Sequence, residues 1–384
     1  MQKINLGIVT AEFPPMPGGV GVSVKRISKN LTQHHNVNII IFFLDLNNYA
    51  STPDDQLIFY QDESFSVCQI RPFRIKNVEQ SHNIAVDIFE ILVDLIKSKR
   101  IDILNAFYVS HTGFAAVLAA KECGIPVVSS FRGNDIHRDL FNSNYWNKIL
   151  WVIENSDYLT FVSAQSQSRA NLLTSKDVFA YSEVIWNGVD ISEFEDQPNF
   201  YVPDNIKKPV ICSAGYFRRT KGIDRLIKAC HDLKVGTLLL IGEFKADEKL
   251  YYESLMEKVS QSGVNIVITG DIPHSQVLNY YKLADIAVFP SRFDGCSNAF
   301  LEAMLAGKPI VCSNVGAMGN ILYNSQGGIV LNQCEENNIS DAIAMLLKSE
   351  PEKTGNKNRA YILSELTATH EARAWFACYS KILK

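Results

Sequence analysis

Two successive series of short apolar runs, each alternating with helical patterns and parted by one polar stretch, constrain this chain more than any single residue does. In the first series Asn5–Thr10, Val37–Phe43, Ile101–Asn105, Val127–Ser130, Tyr158–Val162 and Glu183–Trp186 read as strands. Between them lie patterns such as NIAVDIFEILVDLIKSK, where Ile84, Ile88, Leu92 and Leu95 share one helical face. The second series repeats the scheme at Val210–Ala214, Thr237–Ile241, Ile266–Thr269, Ile286–Phe289, Ile310–Cys312 and Gly328–Leu331. Strands that alternate with helices form parallel sheets covered on both faces. With 384 residues the chain is too long for one ordinary core. The expected fold is therefore α/β, with two Rossmann-like domains facing a cleft. The predicted boundaries are 1–192, a linker at 193–209 rich in prolines and acids, and 210–366. A last helix, about Thr367–Leu383 and counted as 367–384, carries an apolar stripe of Trp375, Phe376, Tyr379 and Ile382.

The densest chemistry lies in ADIAVFPSRFDGCSNAFLEAMLAGKPIVCSN, Ala284–Asn314. IAVFP reads as a buried strand, Ser291–Cys296 as the loop leaving it, and Ser297 as the N-cap of a helix ended by Gly307 and Pro309. The first turn of such a helix offers free N–H groups and a positive dipole end, which suit a diphosphate. Glu302 lies five residues past the cap, roughly 7 Å along the axis. That is about the distance from a bound phosphate to a ribose. Strand, loop and helix with an acid at either end is also ordinary α/β connection chemistry, so spacing alone leaves both readings open.

Other candidates sit where strands end. Gly18, Gly19 and Gly21 in PGGVG follow the first strand and allow close backbone approach. Their spacing is not GxGxxG, and Pro14, Pro15 and Pro17 lengthen the turn, so the dinucleotide fingerprint is absent although Asp45 follows the second strand. A nicotinamide dehydrogenase is accordingly disfavoured. In SAGYFRRTKGIDRLIKA, Lys221 and Gly222 stand at a predicted helix start, where a cation and free N–H groups can act on one diphosphate. The loop SFRGNDIHR brings Arg132, Asp135 and His137 to a sheet's carboxyl edge, which is also the composition of a solvated loop. His111 reads as a helix-start residue.

An acid, seven residues, then Glu followed by AMxxGKP after a strand ending in Pro-Ser resembles the signature of the retaining GT-B glycosyltransferases of family four, the group 1 glycosyl transferases. INLGIVTAEFPPMPGGVGVSVKRISKNL, VIWNGVDISEF and SAGYFRRTKGIDRLIKA extend the resemblance over nearly the whole chain. It implies an acceptor-side first domain, a nucleotide-sugar-binding second domain and a C-terminal helix that crosses back onto the first. It further implies that Lys221 and Arg218 bind the donor diphosphate, with Ser297 and Asn298 N–H groups and the Gly19 and Gly21 turn assisting. Glu302 would hold the ribose, Asp294 the transferred sugar, and the Ile272 backbone the base. Tyr216 stands where the family has Arg, and Arg218 or Arg219 on the same loop can replace it. Arg132 takes the place of a family His and is expected to act with Asp294 and Lys221 in catalysis. Asp135 would accept from a sugar hydroxyl, and His137 would substitute for the missing imidazole. Asp294 is one methylene shorter than the usual Glu. Retention in the family is ascribed to the leaving phosphate deprotonating the acceptor, so no protein nucleophile is assigned.

The resemblance thus implies transfer of a sugar from a nucleoside diphosphate sugar to a hydroxyl of a saccharide or lipid-linked acceptor, in cell-surface or exopolysaccharide synthesis. A non-catalytic nucleotide-sugar-binding subunit and a nucleotide-sugar epimerase are the alternatives. No D-x-D triplet, HExxH or EF-hand loop occurs, so neither metal nor cofactor is expected. A formal charge of −4 gives no reason to invoke nucleic acid. Eight scattered cysteines suggest reduced thiols. The opening MQKINLGIV is too short for a secretory h-region and no run approaches the ~20 apolar residues of a span, so a cytoplasmic protein is expected. Lys25, Arg26 and Lys29 of the first helix leave two readings: weak peripheral contact with anionic lipid at the inner membrane face, or a solvated helix face.

Overall fold

A computed structural model of the chain describes residues 3–16, 18–72, 84–194, 202–261 and 263–383. Pro17, Asn83 at the head of the predicted helical pattern, and 195–201 of the predicted linker lie outside the described residues. Two compact units result, Met1–Asn187 with Ala368–Lys384, and Gly188–Thr367.

The first unit contains strands β1 (Ile4–Thr10), β2 (Val37–Leu44), β3 (Leu57–Asp62), β4 (Phe65–Ile70), β5 (Ile103–Phe107), β6 (Val127–Phe131), β7 (Tyr158–Phe161) and β8 (Ser182–Val184). They form one sheet in the order β3-β4-β2-β1-β5-β6-β7-β8. Only β3 runs antiparallel, against β4. β5 and β6 are buried at every residue, as expected for strands with helices on both faces. Of the predicted helical face, Ile88, Leu92 and Leu95 are buried in the core.

Two expectations need correction here. The β3–β4 hairpin was not foreseen, because its turn is Glu63-Ser64 with Glu63 at φ 51 rather than an Asn-Gly or Gly signal. The predicted strand Ile101–Asn105 begins two residues later, at Ile103, with Asp102 N–H already donating to Asn5 O at 2.8 Å as the chain enters the sheet.

The C-terminal helix Ala368–Ile382 belongs to this unit and packs against the first helix, Gly19–His34. Trp375 and Tyr379 are fully buried beside Val24, Ile27 and Leu31. Phe376 stacks on His35 at 4.3 Å, and the Tyr379 hydroxyl accepts from Asn105 at 2.7 Å. Inside the same interface Arg26 Nε meets Glu371 Oε2 at 2.8 Å, both side chains buried. Lys25 pairs with Asp62 at 3.0 Å, and Lys29 lies 3.8 Å from Glu63. The three cations of the first helix thus each lie beside an acid within the unit, and Arg26, being buried, belongs neither to a solvated face nor to a lipid-facing patch. No helix among the described residues is long and apolar enough to cross a membrane.

The second unit has six parallel strands: β9 (Val210–Ala214), β10 (Thr237–Ile241), β11 (Asn265–Ile268), β12 (Ile286–Phe289), β13 (Ile310–Ser313) and β14 (Gly328–Leu331). Their order is β11-β10-β9-β12-β13-β14. Strand order reverses between β9 and β12, the kind of switch point at which open α/β sheets hold ligands outside the strands' carboxyl ends. In the first unit the reversal falls between β1 and β5.

Removing one partner of a buried ion pair leaves the other charge stranded. Arg26→Met should cost roughly 3–5 kcal/mol, and Arg26→Met with Glu371→Leu should recover much of it. Denaturant unfolding of both variants checks this, and equal stability of the single variant and wild type would contradict it.

Candidate functional site

The loops that leave β9 and β12 stand side by side at the switch point of the second sheet. After β9 the chain runs through Tyr216 and Phe217 into a single 3-10 turn, Arg219–Lys221, and Gly222 then caps the helix Ile223–Leu233. Gly222 has φ 68, and a Cβ there would meet Pro290 O at 2.0 Å. Only glycine permits this contact between the two loops. Lys221 thus precedes the helix rather than opening it.

From this turn Lys221 Nζ reaches Asp294 Oδ2 at 2.7 Å, with both side chains largely buried. The expected phosphate cation and the expected sugar-binding acid, 73 residues apart in the chain, are therefore in contact. Asp294 Oδ1 accepts from the Gly295 N–H at 2.9 Å. The loop is braced from behind, where Ala317 N–H donates to Gly295 O at 2.8 Å and Ser313 Oγ to Ser291 O at 2.6 Å.

Ser297 caps the helix Asn298–Leu305, its Oγ accepting from Phe300 N–H at 3.4 Å. The helix closes with Ala306 as its C-cap, and Gly307, at φ 69, stops it as the sequence context suggests. Asn298 is half-buried at its start, while Phe300, Leu301 and Met304 enter the core. Glu302 is buried, and its Oε1 accepts from His274 Nε2 at 2.9 Å. His274 lies two residues after the half-buried Ile272 in the loop leaving β11, and its ring is 5.0 Å from that of Phe194. On the other side Arg218 is exposed, with its guanidinium 5.8 Å over the Tyr216 ring. Arg219 N–H donates to Glu248 Oε2. This loop offers Lys221 and Arg218 as cations for an anion, beside the first-turn N–H groups of the Asn298–Leu305 helix.

Sequence reasoning missed His274, Arg292 and Asp224. The Arg292 guanidinium forks onto Asp224 at 2.8 and 2.6 Å. Burial pushes the Asp224 carboxyl up, but the hydrogen bonds and charge of Arg292 prevail and hold it below the usual carboxylate range. Position in the motif was the available signal: Arg292 lies two residues before Asp294, and His274 two after Ile272.

The first-unit candidates are placed differently from expectation. Asp135 is fully buried, and its carboxylate accepts from the N–H groups of Arg132 at 2.9 Å, Gly133 at 3.0 Å and Ile136 at 3.1 Å. It shapes the loop and has no surface to offer a sugar hydroxyl. His137 Nδ1 accepts from Arg169, since a guanidinium only donates, which leaves Nε2–H to donate to Ser166 Oγ at 3.0 Å. Burial and the Arg169 charge lower its pKa to about 4. A neutral imidazole with both nitrogens engaged inside the unit does not replace a catalytic one. Arg132 donates to Asn187 Oδ1 and lies 4.5 Å over the Phe107 ring, a fixed cation at the end of β6. Gly19 and Gly21 lie in the first helix; a Cβ on Gly21 would meet Phe13 Cα at 3.0 Å, so the close approach there is to the chain's own loop. Asp45 is buried and accepts from Asn48 and Gln69. His111 lies in the first turn of the helix Val109–Cys123, as its sequence context suggests.

Comparison with known proteins fits this geometry. Residues 17–193 match the model of Glycosyltransferase Family 4, and residues 198–362 that of Glycosyl transferases group 1. An uncharacterized glycosyltransferase of Methanocaldococcus jannaschii is 23% identical over 342 residues, 88% of this chain and 87% of that protein. Among solved structures, sucrose-phosphate synthase from Thermosynechococcus elongatus superposes with a TM-score of 0.74 at 17% identity, over 99% of each chain. HepE from Anabaena, solved in complex with UDP-glucose, does so with 0.71 at 14% identity, over 98% of this chain and 100% of that one. The chain belongs to the family-four, group 1 glycosyltransferases, and its fold is GT-B, two α/β domains on parallel sheets.

Burial raises the Asp135 pKa from 3.8 to about 6, against the three backbone hydrogen bonds that favour its ionised form. A carboxyl whose folded pKa is raised stabilises fully below its unfolded pKa and loses that contribution as pH rises through the folded one. The stability of the wild type relative to Asp135→Asn should therefore fall between about pH 4 and pH 6 and level off above. Unfolding measured across that window checks it; a flat difference would contradict the buried, titrating carboxyl.

Proposed function

We propose that this protein is a retaining, metal-independent transferase that moves a sugar from a nucleoside diphosphate sugar to a hydroxyl of a saccharide or lipid-linked acceptor. One observation carries the reading: Lys221 and Asp294 meet at 2.7 Å beside the N-terminus of the helix that bears Glu302. A diphosphate placed there finds an ammonium, the nearby Arg218 guanidinium and the first N–H groups of that helix. A lysine ammonium has three protons to give, so Lys221 can hold Asp294 and a phosphate oxygen together. Glu302, about a helical turn further on, takes the ribose hydroxyls beside Ile272, and Asp294 takes the sugar. The complex of HepE with UDP-glucose supports a donor of this class. As bond breaking places charge on the leaving diphosphate, the same fixed cations and dipoles stabilise it. No protein nucleophile is required if the departing phosphate oxygen accepts the acceptor's proton.

Donor binding and transfer can be separated by substitution. Lys221→Ala should weaken binding of the matching nucleoside diphosphate, screened among UDP, GDP and ADP by thermal shift, by roughly 1.5–3 kcal/mol. Glu302→Gln should also weaken it. Asp294→Asn should leave that affinity intact and lower turnover, because the sugar is absent from the diphosphate. Calorimetric titration with the sugar-free nucleotide, alongside turnover of its sugar conjugate, decides; equal losses in all three variants would refute the division of roles.

With the diphosphate's charge met by Lys221, Arg218 and a helix terminus, transfer should survive EDTA and decline with added salt as exposed cations are screened. Loss of activity in EDTA with recovery on magnesium or manganese would overturn the metal-free reading.

A further inference from the structure

Lys221 sits on a 3-10 turn of three residues, too short to fix its own place. What fixes it is Arg292. Its backbone N–H donates to Thr220 O at 2.8 Å, and its Nη1 donates to Arg219 O at 2.8 Å. The guanidinium also forks onto Asp224, which lies in the first turn of the helix Ile223–Leu233 and is itself buried. Residues on both sides of Lys221 are thus bound to one side chain, and that side chain belongs to the loop that carries Asp294 two positions later. Nη1 gives both its protons within the protein, to Arg219 O and Asp224, and Nη2 gives one of its two to Asp224.

We propose that Arg292 is a positioning residue for the diphosphate, setting where Lys221 stands relative to Asp294 through Asp224 and the carbonyls of residues 219 and 220. This rests on the donor site described under Proposed function. Its chemistry demands a planar fork that spans two carboxylate oxygens and a carbonyl at once. Lysine keeps the charge but gathers its donors on one nitrogen and cannot reproduce that planar fork. A residue that only held the fold would affect stability and leave affinity alone. A positioning residue must act through Lys221, and its effect must vanish when Lys221 is absent.

The test is a double-substitution cycle on the full chain, with whichever of UDP, GDP and ADP binds the wild type most tightly as the probe. Arg292→Lys and, separately, Asp224→Asn should each weaken that nucleotide at least about tenfold, the order expected for losing a charge-assisted contact. In a Lys221→Ala background, Arg292→Lys should bring no further loss. Thermal unfolding of each variant without nucleotide confirms that it is folded, and Asp224→Asn serves if Arg292→Lys is not. Wild-type affinity in Arg292→Lys, or the same loss with and without Lys221, would overturn the proposal and leave Arg292 a structural residue. Undiminished affinity in Lys221→Ala alone would instead refute the donor-site reading, and the proposal with it.

Discussion

The backbone contact between Gly222 and Pro290 is the constraint on which the candidate site depends. β9 and β12 are neighbours in the second sheet, and their connecting segments diverge to form a crevice at their carboxyl ends. Gly222 lets the two loops touch there, since a Cβ would stand 2.0 Å from Pro290 O. A second glycine braces the far side, where a Cβ on Gly316 would fall 2.2 Å from Gly295 O. Between these two contacts the Asp294 loop has little room to move. Preorganisation of this kind matters for phosphate chemistry, in which fixed charges stabilise the departing group at no reorganisation cost.

Electrostatically the site is self-complementary without a ligand. Lys221 is held by Asp294, Glu302 by His274, and Arg292 by Asp224. The three pairs differ in what they leave open. Lys221 has further protons to donate and Glu302 a second oxygen, whereas Arg292 holds Asp224 with a two-point fork and binds two loop carbonyls besides. The first two pairs suit contact with a donor, and the third suits a support.

The first unit spends its charge internally. Arg26 and Glu371 bury an ion pair between the first and last helices, so a segment some 345 positions downstream completes this unit's core. Asp135 and His137, both at a strand's carboxyl edge, turn their polar atoms onto backbone and neighbouring side chains. Carboxyl-edge location does not by itself make a polar residue a ligand; the number of lone pairs and protons already engaged decides.

Much of this was legible in the sequence for a local reason. Strand and helix periods are set within a few residues, so all twelve strands expected lie on their observed positions to within two residues at either end, and Ser297 caps its helix as its context demanded. The Asp294–Glu302 spacing carries meaning because helical rise is constant. The β3–β4 hairpin was not legible, since its turn lacks a glycine signal and its strands answer to neighbours across the sheet. Nor could the chain alone say that Lys221 meets Asp294, that His274 holds Glu302, or that Arg292 binds the turn beside Lys221. Those are pairings between residues 28 to 73 positions apart, and strand order, which no local propensity encodes, brings them together.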